Sequence, residues 1–311
     1  MQDCAPPPGA RLGAAWSGLL RMPHLAAFFE AWSVEALLLT PSGLDGVIGW
    51  GLKASARRGA RAAGRLGLPF WRIEDGFFRS VGLGKDRAPT VSLVIDDLGV
   101  YYDARRPSRL EKLLCGGALG PLRSRASDLV DRVKRERFTK YNHLPDKPVS
   151  LARSARRTIL LADQVAGDLS IAGAFADAAS FVRMAEAALG EAGGARVVLR
   201  RHPDVAAGRA QGFLDTFARQ RGLEVVDDDV SPHAVLDAVD EVWTVSSQLG
   251  FDALLRGLPV TTFAAPFVWL GFGFAFATDP SEKTAVNPYT LRILFASASV
   301  SVEETPLIIL F

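Results

Sequence analysis

Cysteine is nearly missing: the 311 residues contain two, Cys4 and Cys115, at no recognisable spacing. That excludes a disulfide framework and any Cys-x-x-Cys site, and it fits a reducing compartment. Histidine is scarce as well, four in all with no His-Glu-x-x-His run, so no metal site is expected. Long apolar runs are also missing. No uncharged stretch reaches the ~18 residues that cross a bilayer, and the N-terminus shows no basic segment leading into an apolar one. A cytoplasmic protein is expected, soluble or at most peripheral to a membrane. Nor is there an excess of one charge: 36 Lys and Arg face 34 Asp and Glu, which gives no argument for a nucleic-acid partner. The basic residues are unevenly placed, however. Arg57, Arg58, Arg61 and Arg65, with the stretch from Arg123 to Arg137, crowd the first half. They form either solvated helix faces or a surface for an anionic membrane or an acidic sugar.

What is present is a globular composition, 49% hydrophobic and 23% charged, in a chain long enough for two domains. Residues 1–15, rich in Pro, Gly and Ala, read as a poorly ordered N-terminus. Short strands are expected at Leu37–Thr40, Gly46–Gly51, Phe70–Ile73, Thr90–Asp97 and Val100–Asp103, with a helix over Lys53–Leu66. Ser108 with Glu111 three residues on reads as a capping box opening a helix. The first domain is placed at 16–141 and a Pro-containing linker at 142–157. From 158 to 266 strands and helices alternate regularly. Strands are expected at Thr158–Ala162, Arg196–Arg200, Leu223–Val226, Glu241–Val245 and Val260–Phe263. The helices between them are expected over Ser170–Leu189, Ala210–Arg221, Pro232–Ala238 and Leu249–Arg256. This pattern predicts an α/β fold with a doubly wound, Rossmann-like second domain. Residues 267–311 form an atypical tail without a clear period.

Four constellations lie just beyond expected strands, where open α/β sheets bind ligands. Glu74 and Asp75, followed by Arg79 and Ser80, pair two carboxylates with an anion-seeking arginine; adjacent carboxylates with split pKa values suit an acid and a base. Asp168 stands where a helix begins, as an N-cap or as a carboxylate able to attack an anomeric carbon. Arg200, Arg201 and His202 could neutralise a phosphate or a sugar carboxylate, or pair with local acids. Ser246 and Ser247 open a helix whose N–H groups could hold a phosphate, or they simply cap it.

Taken together, these stretches resemble the bacterial capsular polysaccharide β-Kdo transferase family. The resemblance rests on Met22-Pro23-His24-Leu25, Gly49–Ser55, Glu74–Gly84, Ser92–Asp103, Pro107–Glu111, Lys140-Tyr141-Asn142, Gln164–Ser170, His202-Pro203-Asp204 and Ser246–Gly257, in that order. It implies a pair of Rossmann-like domains in a GT-B-like architecture. It implies a retaining β-Kdo glycosyltransferase that uses CMP-Kdo, with no further cofactor, on a Kdo-primed phosphatidylglycerol acceptor at the cytoplasmic face of the inner membrane. The product would enter the capsule biosynthesis and export machinery. Asp168 would be the nucleophile, and Asp75 or Glu74 would handle the acceptor proton. Lys53, Arg79, Ser80, Gln164, Arg200, Arg201, His202, Asp204, Ser246 and Ser247 would contact donor or substrate. Some positions depart from the family pattern: Arg201 stands where proline is expected, Asp163 where glycine is, and Val268–Gly273 only echoes a Gly-Trp-Gly segment. Family members often carry two such modules and this chain has room for one. A degenerate module that binds or scaffolds without catalysis is therefore the alternative.

Overall fold

The computed structural model describes residues 5–22, 25–37, 42–82, 88–115, 123–149, 151, 156–191, 194–226 and 229–265, with short strands at 284–286, 299–300 and 307–310. Its first half runs β1 (Arg11–Ala14), a single 3₁₀ turn, α1 (Leu25–Phe28), β2 (Ser33–Ala36), β3 (Gly46–Trp50), α2 (Ala54–Leu66), β4 (Phe70–Asp75), β5 (Ser92–Asp96), α3 (Arg109–Cys115) and α4 (Arg123–Glu136). The second half runs β6 (Thr158–Ala162), α5 (Leu169–Gly173), α6 (Ala178–Leu189), β7 (Arg196–Arg200), α7 (Pro203–Ala206), α8 (Asp215–Arg221), β8 (Glu224–Val225), α9 (Pro232–Leu236), β9 (Glu241–Thr244), α10 (Gln248–Arg256) and β10 (Val260–Thr262). β11 (Thr284–Val286), β12 (Ser299–Val300) and β13 (Leu307–Leu310) complete the elements.

Two sheets result. The first has the order β12-β13-β5-β4-β3-β1-β2, and the second β11-β10-β9-β6-β7-β8. In the second, β8, β7, β6, β9 and β10 are all parallel. Their chain order reverses between β6 and β9, which is the doubly wound switch point. β3, β6 and β9 are buried along their whole length, so their side chains face helices on both sides of the sheet. On one side of the second sheet Phe181, Met184 and Leu214 pack against Ile159 and Leu161. On the other, Leu160 and Val242 join Phe251 and Leu254 of α10. That cluster continues through Phe77, Val94, Tyr101 and Val130 of the first half, so the two halves share one apolar core.

Several expectations are corrected by the backbone. Residues 11–14, expected to be disordered, form β1, because Leu12, Gly13 and Ala14 are buried where the strand pairs with both β2 and β3, leaving Arg11 exposed at its start. A strand that was not expected forms at Ser33–Ala36, and of the strand expected at Leu37–Thr40, Leu38–Thr40 fall outside the described residues. β5 runs antiparallel to β4, so the first sheet is mixed. Val100–Asp103 is a turn rather than a strand. Asp96 Oδ1 accepts from the backbone N–H groups of Leu98 (2.7 Å) and Gly99 (2.9 Å), which turns the chain before a strand can restart. The helix expected over Ser170–Leu189 is two, broken at Phe175 with φ 58°. Asp177 and Ser180 cap the second helix reciprocally. Residues 210–214 stay outside α8, held to Asp163 by the Phe213 and Leu214 amides.

Candidate active site

The two sheets meet at a cleft of ≈350 Å³ lined at the carboxyl ends of β4, β6, β7 and β9. Its position follows from topology: the chain leaves adjacent strands β6 and β9 in opposite directions, which opens a crevice at their ends. Into it project Glu74 and Asp75 from β4, Asp168 before α5, Arg200, Arg201 and His202 after β7, and Ser246 and Ser247 before α10. Gln164 lines it as well. Four other residues expected to contact substrate lie outside the lining. Lys53 stacks its ammonium over Trp16, 4.5 Å from the ring centroid. Arg79 is ion-paired with Asp75 (Nε–Oδ2 2.8 Å), and its Nη1 donates to Ser80 Oγ. Ser80 is buried and donates to Gly82 O at 2.5 Å. Asp204 is buried against Arg209, 3.1 Å away.

The paired carboxylates differ in environment. Glu74 Oε2 accepts from the Tyr102 hydroxyl at 2.9 Å and Oε1 from the Asp75 N–H at 3.1 Å. Burial, reinforced by the neighbouring Asp75 charge, raises the Glu74 pKa. Asp75 is instead tied up by Arg79 and by Thr90 Oγ1 at 3.3 Å. Of the two, Glu74 has the environment of a proton acceptor. Gly51 makes room for it: its φ is +48°, and a Cβ there would collide with the Glu74 carboxylate and the Tyr102 hydroxyl. Burial beside Glu74 also pushes both the Tyr101 and Tyr102 phenols upward, so they remain donors.

Asp168 is exposed in the cleft and does cap α5, its Oδ1 accepting from Ser170 N at 2.9 Å. Its Oδ2 has no hydrogen-bond partner among the described residues. Ser247 caps α10 through Leu249 N (3.2 Å), and His202 caps α7 by accepting from Asp204 N on Nδ1 (3.1 Å). Arg200 donates to Val230 O at 3.0 Å, and Arg201 lies 3.4 Å from Asp215. Gln164 is bound on both ends to Ser246: Oε1 accepts from Ser246 N (2.9 Å) and Nε2 reaches Ser246 Oγ (3.0 Å). Asp163, the residue out of pattern, turns its carboxylate to the Gln164, Phe213 and Leu214 amides. Burial nonetheless leaves its pKa raised.

Sequence reasoning missed three residues lining the same cleft. Lys140 sits on the segment after α4, whose carbonyl accepts from Arg79 N and Ser80 N. Burial works against its charge, but Tyr141, Asp75, Asp168 and Glu74 hold its ammonium above the ordinary range. Tyr102 lies in the turn at Val100–Asp103, a stretch whose sequence predicts a strand. Asp252 interrupts the buried apolar run Phe251, Ala253, Leu254 and Leu255 of α10; a lone carboxyl in such a run was the available signal. Desolvation raises its pKa to about 7.

Two Rossmann-like sheets with a polar cleft at the switch point define a GT-B-like α/β architecture. The chain belongs to the capsule polysaccharide biosynthesis protein family, which matches residues 45–126 and 132–283. It is 36% and 37% identical, over 90% of its length, to the capsule polysaccharide modification protein LipA of Neisseria meningitidis serogroups A and B. It is 34% identical over 81% to the lipopolysaccharide-processing protein LpsZ of Rhizobium meliloti. The chain spans 41% of each LipA and 57% of LpsZ. A solved structure of Thermosulfurimonas dismutans KpsC, beta Kdo 2,4 transferase, matches with a TM-score of 0.81 and 35% identity, over 94% of this chain and 90% of that one. Another, titled the KpsC beta Kdo 2,7 transferase of the same organism, matches with a TM-score of 0.63 at 22% identity over 96% of this chain and 95% of that one, a likeness of fold.

Proposed function

We propose that the chain is a retaining β-Kdo transferase module that uses CMP-Kdo in capsule polysaccharide biosynthesis. The observation that carries this reading is the convergence, in one interdomain cleft, of an exposed carboxylate with a free oxygen, a second carboxyl of raised pKa, and cationic groups beside a helix N-terminus. The 2,4 transferase neighbour supports the choice of sugar. In the first step Asp168 Oδ2 attacks the anomeric carbon as the bond to CMP breaks, giving a glycosyl–enzyme and free CMP. In the second an acceptor hydroxyl displaces Asp168, its proton passing to Glu74; two inversions retain configuration. Arg200, Arg201 and His202 would hold the donor's anionic groups, and the N–H groups at Ser247–Leu249 its phosphate.

No helix among the described residues is long and apolar enough to cross a membrane. A lipid-linked acceptor such as Kdo-primed phosphatidylglycerol therefore calls for a peripheral position at the cytoplasmic face, with the product handed to the export machinery. α2 offers the surface: Arg57, Arg58, Arg61 and Arg65 are exposed on a helix without an acidic residue. The test is product formation from CMP-Kdo generated in situ and a synthetic β-Kdo-primed acceptor, read by mass. A product one Kdo heavier is expected. CMP binding by folded protein without product would replace this reading by a degenerate binding module.

A further inference from the structure

α5 begins at the Asp168 cap and ends at Gly173, where it meets the other half of the molecule. Its own half holds it: Ile171 packs in the cluster of Ile159 and Leu161, and Ala265 N donates to Ala174 O at 3.0 Å. On the opposite side Gly173 is buried against the Val100–Asp103 turn of the first half. Ala104 N donates to Gly173 O at 2.9 Å, a main-chain hydrogen bond from one half to the other. A Cβ on Gly173 would stand 2.4 Å from Tyr102 O and 3.2 Å from Asp103 Cα, both main-chain atoms. A carbon and a carbonyl oxygen need about 3.3 Å, so any side chain here parts the two segments by about 1 Å. Conformation does not call for glycine, because Gly173 is helical without a positive φ and alanine is the better helix former. The close approach does.

The turn has no room to retreat. Asp103 N donates to Val100 O at 2.9 Å, and the Asp96 carboxylate caps the amides that precede it. The far end of Tyr102 is fixed as well. Its hydroxyl donates to Glu74 Oε2, and a Cβ on Gly51 would come within 2.8 Å of it. Tyr102 is thus held between two glycines, its carbonyl against Gly173 of the second half and its hydroxyl against Gly51 of the first. Through it the helix that presents Asp168 is kept in register with Glu74.

We propose that Gly173 is a positioning residue, whose missing side chain sets the spacing between Asp168 and Glu74 across the gap between the halves. The proposal rests on the transferase reading for the roles of those two carboxylates. Attack on the donor uses groups of the second half, Asp168 with Arg200, Arg201, His202 and Ser247. The Asp168 oxygen bonds to the anomeric carbon and CMP departs with the electron pair. The return step spans both halves. The acceptor oxygen bonds to the anomeric carbon, its proton goes to Glu74, and Asp168 leaves with the electron pair. A wider gap therefore slows the second step and spares the first.

The test separates the two steps in wild type and Gly173→Ala. Intact-protein mass after mixing with CMP-Kdo generated in situ, without acceptor, reads the glycosyl–enzyme; product mass with the β-Kdo-primed acceptor reads transfer. The variant should form the glycosyl–enzyme at the wild-type rate and transfer about 10²-fold more slowly, as a misplacement of about 1 Å implies. The glycosyl–enzyme should then accumulate in the presence of acceptor. Equal losses in both steps, the mark of a merely loosened cleft, would overturn the proposal, and so would no loss in either. A second measurement needs no variant: amide hydrogen exchange at Ala104 in the wild type. Protection like that of the β4 amides is expected, and exchange at the rate of an exposed loop would show that the halves part there and overturn the proposal. A wild type that forms neither glycosyl–enzyme nor product sinks the transferase reading and the proposal with it. Both species in the wild type, with an unaltered partition in the variant, sink the spacing alone.

Discussion

Asp252→Asn should make the protein more stable at alkaline pH and leave it unchanged at acid pH. The wild-type carboxyl titrates near 3.8 in the unfolded chain and at about 7 when folded, because burial disfavours its charge. Between these values the native state holds a proton that the unfolded state has released, so stability falls as pH rises. Each unit costs about 1.4 kcal/mol, and the penalty levels off above pH 7 at about 4 kcal/mol as an upper bound. Asparagine keeps the shape and never ionises. Thermal unfolding followed by circular dichroism at pH 5 and pH 8 isolates the effect, since all other titrating groups are common to both proteins. The stability difference should widen by about 3 kcal/mol over that interval, or about 5 °C in midpoint for a chain of this length. A difference that stays constant with pH would refute the argument, because Asp252 would then ionise alike in both states.

Asp168→Asn should lower transfer by about 10⁴-fold or more, while asparagine caps as well as aspartate and stability stays within about 0.5 kcal/mol; full turnover by the variant would remove Asp168 from the nucleophile role. With Glu74 as base, transfer should fall as pH drops through a value above the ordinary carboxylate range. Tyr102→Phe removes a hydrogen bond that favours the Glu74 anion and should move that limb upward, whereas Glu74→Gln should abolish it; an unmoved limb in both variants assigns the proton elsewhere. Replacing Arg57, Arg58, Arg61 and Arg65 by Gln should weaken binding to phosphatidylglycerol vesicles by about 10³-fold at about 1 kcal/mol per arginine; flotation that matches wild type removes α2 as the membrane surface.

The second sheet was readable because each of its strands is a short apolar run followed by a helical period. The placement of Asp168, Arg200 and Ser246 at one edge follows from that alternation. The first half was less so. β1 hid in a Pro- and Gly-rich stretch because four residues suffice when both neighbours are strands. The turn at Val100–Asp103 hid behind β-branched and aromatic residues, whose propensity lost to the Asp96 carboxylate capping the following amides. Lys53, Arg79, Ser80 and Asp204 lie outside the cleft lining, a placement the sequence does not carry because it gives residue types and not directions; a ring contact, ion pairs and a hydrogen bond to Gly82 O hold them where they are. Asp252 and Lys140 come from distant segments, and only the packing of α10 on the loop after β4 brings them to one cleft.

Asp168 and Ser247 were each open to two readings, cap or ligand, and the structure shows both capping, as it shows His202, for which a cap was not expected. The readings do not compete. In a parallel sheet every strand is followed by a helix, so helix N-termini and the ligand edge are the same place. A cap also uses a single acceptor: Ser247 Oγ accepts from Leu249 N and keeps its own proton to give. Ser247 therefore allows the two roles to be separated. Ser247→Ala should cost about 1 kcal/mol of stability through the lost cap. Ser247→Asp keeps the cap and adds a negative charge where the nucleotide phosphate is proposed to sit. Capping alone predicts that CMP affinity follows stability, with Asp near wild type and Ala weaker. A phosphate at this N-terminus predicts the reverse order, with Asp the poorest binder of the three and at least about tenfold below Ala through like-charge repulsion. Titration of CMP into the three folded proteins decides between them: affinities ordered as stabilities would empty this end of α10 of its anion.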